Sequence, residues 1–327
     1  MKKIMVIILA TLFGFISISA IADNKVTIQL KWVTQAQFAG YYVAQDKGFY
    51  ADEGLEVTIL PGGPDVVPPQ VMAGGAADVM GDWAPSALAA REKGLPIVNI
   101  AQPFKSSGLL LVCRKDSGVM QPTDLKGKTV GVWFGGNEYP LMNWMSKLNI
   151  PTDGSDGGIT LMRQGYNVDP LLQKQADCVS AMAYNEYWQV IDAGLTNDDL
   201  TIFNYTDLGV ASLEDGLYVM EDKLKDPNFV SKMAKFVRAS MKGWAWAREN
   251  SDAAADIVLD NDDTGAQTQD HQRRMMGEIN KLTAGSDGTL VEADFNTTVE
   301  NLMSAGADAV ITKKPVGAWS HAVTNQM

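Results

Sequence analysis

The chain has 327 residues, a formal charge of −12, a pI near 4.6 and 46% apolar residues. So acidic a chain repels phosphate backbones, which argues against nucleic acid as a partner. Its length holds about two domains with a sizeable core. At the N-terminus Lys2 and Lys3 precede an apolar run from Ile4 to Ile18, and Ala20-Ile21-Ala22 fits the small-x-small cleavage pattern of a secretory signal. The run is short for a membrane span and no stop-transfer pattern follows it. Residues 1–22 are therefore expected to be removed, leaving a charge of −14 once Lys2 and Lys3 are gone. No cysteine stands at the cleavage site to carry a lipid, so a soluble chain retained in a periplasm is expected.

From there strand and helix signals alternate. Val26 to Trp32 alternates as a strand, Ala36 to Lys47 reads as a helix closed by Gly48, and Leu55 to Leu60 is a strand broken by Gly62-Gly63-Pro64. A short helix from Val66 to Ala73, a strand from Asp78 to Trp83, a helix opened by Pro85 and stopped by Gly94, and a strand from Ile97 to Ala101 complete a first unit. A second unit has strands at 109–113, 129–134, 159–162, 178–182 and 201–205, with helices at 139–148, 169–175 and 186–193. From Asp226 onward the pattern is helical. This predicts an α/β protein of two Rossmann-like, parallel-sheet lobes: 23–107 plus 207–327 in the first and 108–206 in the second. Two chain crossings would form a hinge, with a ligand cleft between the lobes.

Cys113 and Cys178 lack metal or CxxC spacing. Export permits a bridge between them, but both sit in apolar strand-like runs, which favours buried free thiols. The two histidines and sixteen methionines form no ligand cluster, so neither a metal nor another cofactor is expected. There is no P-loop, dinucleotide or GxSxG spacing.

Residues 26–60 carry a denser pattern: Leu30-Lys31-Trp32, then Phe38-Ala39-Gly40-Tyr41-Tyr42-Val43-Ala44, then Lys47-Gly48-Phe49-Tyr50-Ala51-Asp52-Glu53-Gly54-Leu55-Glu56-Val57. With Gly62-Gly63-Pro64-Asp65, Thr123-Asp124-Leu125-Lys126-Gly127-Lys128 and Ala183-Tyr184-Asn185-Glu186-Tyr187, it resembles the thiamine-pyrimidine (hydroxymethylpyrimidine) and sulfonate/riboflavin-type periplasmic binding proteins. The resemblance implies a periplasmic-binding-protein type II fold, a small-molecule ligand, an ABC permease as partner and a monomer that is no enzyme. The same family contains a eukaryotic pyrimidine synthase. Its likeness implies a cysteine-rich iron motif and a reactive histidine in the first lobe, whereas this sequence has no cysteine cluster and its two histidines, His271 and His321, lie in the C-terminal helical part.

In open α/β sheets ligands sit beyond the carboxyl ends of the strands. Those ends carry Trp32, Gln35 and Gln37; Gly63 and Asp65; Asp82 and Trp83; Trp133, Asn137 and Glu138; and Tyr184, Asn185 and Glu186. Phe38 and Tyr42, four apart on one helix, place one ring toward the cleft and the other in the core. Gly63 belongs to a turn or backbone nest that lets ligand approach, with Asp65 capping the next helix. Each ligand role competes with a plainer one: aromatics are often simply buried, and Glu186 also suits the first turn of its helix. Rings beside amides and carboxylates suit a flat nitrogen heterocycle, which offers faces to stack and edges to bond. An alkanesulfonate-type anion would instead want backbone N–H groups or an arginine, and Arg163 at a strand end keeps that alternative.

Overall fold

The computed structural model describes residues 24–304 and 309–327. The expected signal segment lies outside the described residues; among the described residues no helix is long and apolar enough to cross a membrane.

The first lobe starts with β1 (Lys25–Gln29), followed by α1 (Ala39–Asp46), α2 (Phe49–Asp52), β2 (Glu56–Leu60), α3 (Pro68–Ala73), β3 (Val79–Asp82), α4 (Ala84–Glu92) and β4 (Ile97–Ala101). The second holds β5 (Leu109–Arg114), β6 (Thr129–Val132), α5 (Tyr139–Lys147), β7 (Thr160–Arg163), α6 (Asp169–Leu172), β8 (Cys178–Met182), α7 (Glu186–Asp192) and β9 (Leu200–Asn204). The chain then returns through β10 (Gly216–Met220) and ends in α8 (Pro227–Glu249), α9 (Ser251–Asp260), α10 (Gln269–Leu282) and α11 (Glu292–Met303).

The two sheets are built alike, in the orders β2-β1-β3-β10-β4 and β7-β6-β8-β5-β9. In each, the strand entering from the other lobe takes the fourth place and runs antiparallel to its neighbours. The sheets are therefore mixed, which corrects the expectation of parallel sheets. β10 carries no alternating pattern, because all but its last residue are buried, and its partners β3 and β4 lie over a hundred residues away.

The strands end early at the cleft. β1 stops at Gln29, so Leu30-Lys31-Trp32 is loop, and the turn from Ala36 to Phe38 is 3-10 rather than α. Gly62 is needed here: a Cβ on it would stand 2.4 Å from the Leu30 carbonyl oxygen, and its N–H donates to the Trp32 carbonyl at 2.8 Å. The glycine turn thus pins the Trp32 loop.

Cys113 and Cys178 face each other across the β5–β8 ladder and are joined as a disulfide, which overturns the free-thiol expectation. The spacing of 65 residues hid the pairing, since only the strand register makes the two neighbours.

The two crossings, between β4 and β5 and between β9 and β10, are tied by Glu214. Its carboxyl accepts from Ser107 Oγ and from the Gly108 N–H, and its carbonyl accepts from Gln102 Nε2 at 2.5 Å. A hinge of two strands is thereby cross-linked through one buried side chain.

Candidate functional site

A cavity of about 20 Å³ lies between the lobes, beyond the carboxyl ends of β1, β3, β6 and β8. It is lined by Lys31, Trp32, Gln35, Gln37 and Trp83 from the first lobe and by Trp133, Asn137, Met182, Tyr184 and Glu186 from the second. As it stands the cavity has room for a water or two.

Three indoles form its walls. Trp32 and Trp133, on opposite lobes, meet edge-on with centroids 6.2 Å apart. Trp133 Nε1 donates to the Gly165 carbonyl at 2.6 Å, which fixes the ring's angle. Trp83 is 2% exposed, and its Nε1 is buried without a hydrogen-bond partner among the described residues. Over its face, 5.4 Å from the centroid, stands the Lys31 ammonium, which Asp82 holds at 3.1 Å.

The polar edge is a chain of amides and acids crossing the cleft. Asp215 Oδ2 accepts from Gln37 Nε2 at 2.8 Å, and Gln35 Nε2 donates to Gln37 Oε1 at 2.7 Å. Asn185 Nδ2 donates to Gln35 Oε1 at 3.3 Å and to Glu186 Oε1 at 2.8 Å. Glu186 Oε2 accepts from the Met182 N–H at 2.9 Å. Burial pushes Glu186 up to about 7, against the pull of these donors. Burial likewise raises Asp215 to about 7, opposed by the Gln37 bond and the Lys31 charge. The Trp83 indole also acts on Asp215 but makes no hydrogen bond of normal geometry with it. Burial raises Glu214 to about 8.

Eight of the sequence-derived residues therefore share one cavity: Trp32, Gln35, Gln37, Trp83, Trp133, Asn137, Tyr184 and Glu186. Seven do not line it. Phe38 is core, 1% exposed. Tyr42 is buried too, its hydroxyl paired with Thr34 at 2.9 Å, so neither ring of that helix pair reaches the cavity. Gly63 sits in the turn beside the Val33 side chain, and the close backbone approach there belongs to Gly62. Asp65 is exposed and caps nothing, because α3 begins after Val67 with no side-chain cap. Asp82 lies behind the wall, accepting from the Trp83 N–H and Ser86 Oγ as well as Lys31. Glu138 turns back onto the Gly135 and Gly136 N–H groups. Asn185 is the link between lobes rather than a wall: its Oδ1 meets His271 Nε2 of α10 at 2.8 Å.

Lys31 and Met182 were missed. Lys31 sits within the quoted Leu30-Lys31-Trp32 pattern and was legible there, whereas nothing local marks Met182. Arg163 is exposed and stacks on Phe134, away from the cavity. Among the described residues no group of three histidines, cysteines or acids is placed to hold a metal.

The family model described as "NMT1/THI5 like" matches residues 35–254. The chain belongs to that family. This NMT1/THI5-like chain is 28% identical over 268 residues to a formylaminopyrimidine-binding protein of Halalkalibacterium halodurans, covering 80% of this chain and 79% of that one. It is 26% identical to the riboflavin-binding protein RibY of Chloroflexus aurantiacus, over 86% of this chain and 81% of that one. Its structure overlays the periplasmic aliphatic sulphonate binding protein SsuA of Escherichia coli with a TM-score of 0.66 at 14% identity, covering 90% of each chain. The architecture is thus the two-lobed periplasmic-binding-protein fold.

Proposed function

We propose that the chain is the solute-binding component of an ABC importer outside the cytoplasmic membrane, and that it captures a small planar nitrogen heterocycle such as a thiamine-precursor pyrimidine. The observation that carries this is the interlobe cavity uniting Trp32, Trp83 and Trp133 with Gln35, Gln37, Asn137 and Glu186. Rings supply stacking faces worth ~1–3 kcal/mol each. A carboxyl near pH 7 pairs with an aminopyrimidine edge by sharing one proton: its O–H donates to a ring nitrogen while its carbonyl accepts from the exocyclic amine. The formylaminopyrimidine named for one relative and the riboflavin named for another are both flat, nitrogen-bearing rings.

An anionic ligand fits less well. Arg163 stays outside, Glu186 stays inside, and the Lys31 charge is already balanced by Asp82. We place the lobe limits at 23–107 plus 207–327 and 108–206, and take the protein to act as a monomer that docks on its permease. A pyrimidine synthase is the competing reading. The two cysteines are joined to each other, which leaves no free thiol among the described residues for such chemistry.

Titration calorimetry with 4-amino-5-hydroxymethyl-2-methylpyrimidine tests the reading. It predicts binding near the micromolar range, about −8 kcal/mol, and a loss of roughly tenfold or more in folded Trp32→Ala. Unchanged affinity in that variant removes Trp32 from the site. Turnover of candidate precursors by the pure protein would overturn the binding-protein reading.

A further inference from the structure

Trp32 and Gln35 have a second side. Beyond them lies a groove of about 320 Å³, bounded by Tyr166, Asn167 and Gln189 of the second lobe and by Gln267, Thr268 and His271 of the first. The cavity and the groove share only the Trp32 and Gln35 walls. A ring seated in the cavity stands against the same Trp32 and Gln35, so a substituent that passes them enters this groove.

The groove's chemistry is specific. Its amides and hydroxyls supply both donors and acceptors. No lysine or arginine lines it. Its one carboxylate, Asp192, is already paired with Arg274 at 2.9 Å. His271 is held below its ordinary value, first by burial and then by the Arg274 charge, so it is neutral near pH 7. A phosphate entering finds no lysine or arginine on the groove's walls and a carboxylate, Asp192, among them. An uncharged chain of hydroxyls exchanges water for amide and hydroxyl partners at little cost.

Resting on the heterocycle reading above, we propose that this groove is a second subsite, which takes an uncharged hydroxylated chain attached to the ring and discriminates against the phosphorylated form of the same ligand. The protein would then accept the dephosphorylated product of a phosphatase-type reaction rather than the phosphate ester.

Two ring-matched series test it by calorimetry: lumiflavin, riboflavin and flavin mononucleotide, and cytosine, cytidine and cytidine monophosphate. For whichever ring binds, the neutral chain is expected to tighten binding about tenfold over the bare ring, and the phosphate to weaken it about tenfold again. Tyr166 is exposed, so substitutions there leave folding intact. Tyr166→Ala should shrink the gain from the chain without changing bare-ring affinity, and Tyr166→Lys should shrink the phosphate penalty. Equal affinity for bare and chain-bearing rings overturns the subsite alone, as does tightest binding by the phosphorylated member. No binding by any ring in either series, or by the free pyrimidine, overturns the heterocycle reading and the subsite with it.

Discussion

Glu186 concentrates the chemistry of the site in one carboxyl. Each oxygen already accepts one bond, from Asn185 or from the Met182 N–H, leaving its remaining valence for the ligand. With its pKa near 7, the proton it shares with a ring nitrogen is lost as the medium turns alkaline. Affinity should therefore fall as pH rises from 7 to 9, and stay flat if the carboxyl does not touch ligand. Glu186→Gln sets an amide N–H₂ against one of the two donors and should weaken binding by ten- to a hundredfold, about 1.5–3 kcal/mol. Asp82 has a different role, since it neutralises the Lys31 ammonium on the cavity wall. Asp82→Ala leaves that charge buried and unpaired, at a cost of ~3–5 kcal/mol in urea-melt stability. The rings and amides at strand ends were legible because the fold aims those positions at the cleft. Asp82, Glu138 and Asn185 sit at equivalent positions, yet each side chain is captured by a nearer partner: Lys31, the Gly135 and Gly136 amides, and His271. Sequence position cannot reveal that competition.

At the scale of elements, closure depends on close approaches between the lobes. Gly136, just before α5, has φ +127°, and a Cβ there would meet Ser86 Cβ of α4 at 2.6 Å. Gly136→Ala should hold the lobes apart, raising the radius of gyration of the ligand-bound form in solution scattering and weakening affinity several-fold while leaving each lobe folded. An unchanged bound-state radius would show that α4 and α5 do not set the closed geometry. On the other flank α7 and α10 are clasped by Asn185–His271, by Arg274–Asp192 and by Arg274 lying 4.8 Å over the Trp188 ring. Within the second lobe the Cys113–Cys178 bridge spans 65 residues. The double replacement Cys113→Ala, Cys178→Ala should lower stability by ~2–4 kcal/mol without abolishing ligand binding, because both residues are buried and neither lines the cavity.

For the whole molecule, three buried acids set the pH response. Glu186, Glu214 and Asp215 are all raised in the folded state, to about 7, 8 and 7. Between the ordinary carboxylate range and those values the unfolded chain has released protons that the folded chain retains. Their stabilising effect is complete only below the ordinary carboxylate range and is lost as pH rises through 7 to 8. His271, lowered in the folded state, pulls the other way below pH 6.5, but as one group against three. Melting temperature should accordingly fall from pH 5 to pH 8.5, and a rise over that interval would contradict the burial of these carboxyls. Two of the three were invisible from sequence: Glu214 and Asp215 lie in the returning crossing, where no periodic element marks the chain and all partners are distant. The alternation of strands and helices made the two lobes legible, and their strand ends supplied eight of the cavity's ten walls. Whether those walls grip a ring is tested most directly by a crystal structure with 4-amino-5-hydroxymethyl-2-methylpyrimidine. The account predicts the ring against Trp32 and Trp133 with its amine on Glu186; a ring bound elsewhere, or a pair of indoles still in edge contact with the ligand outside, would contradict it.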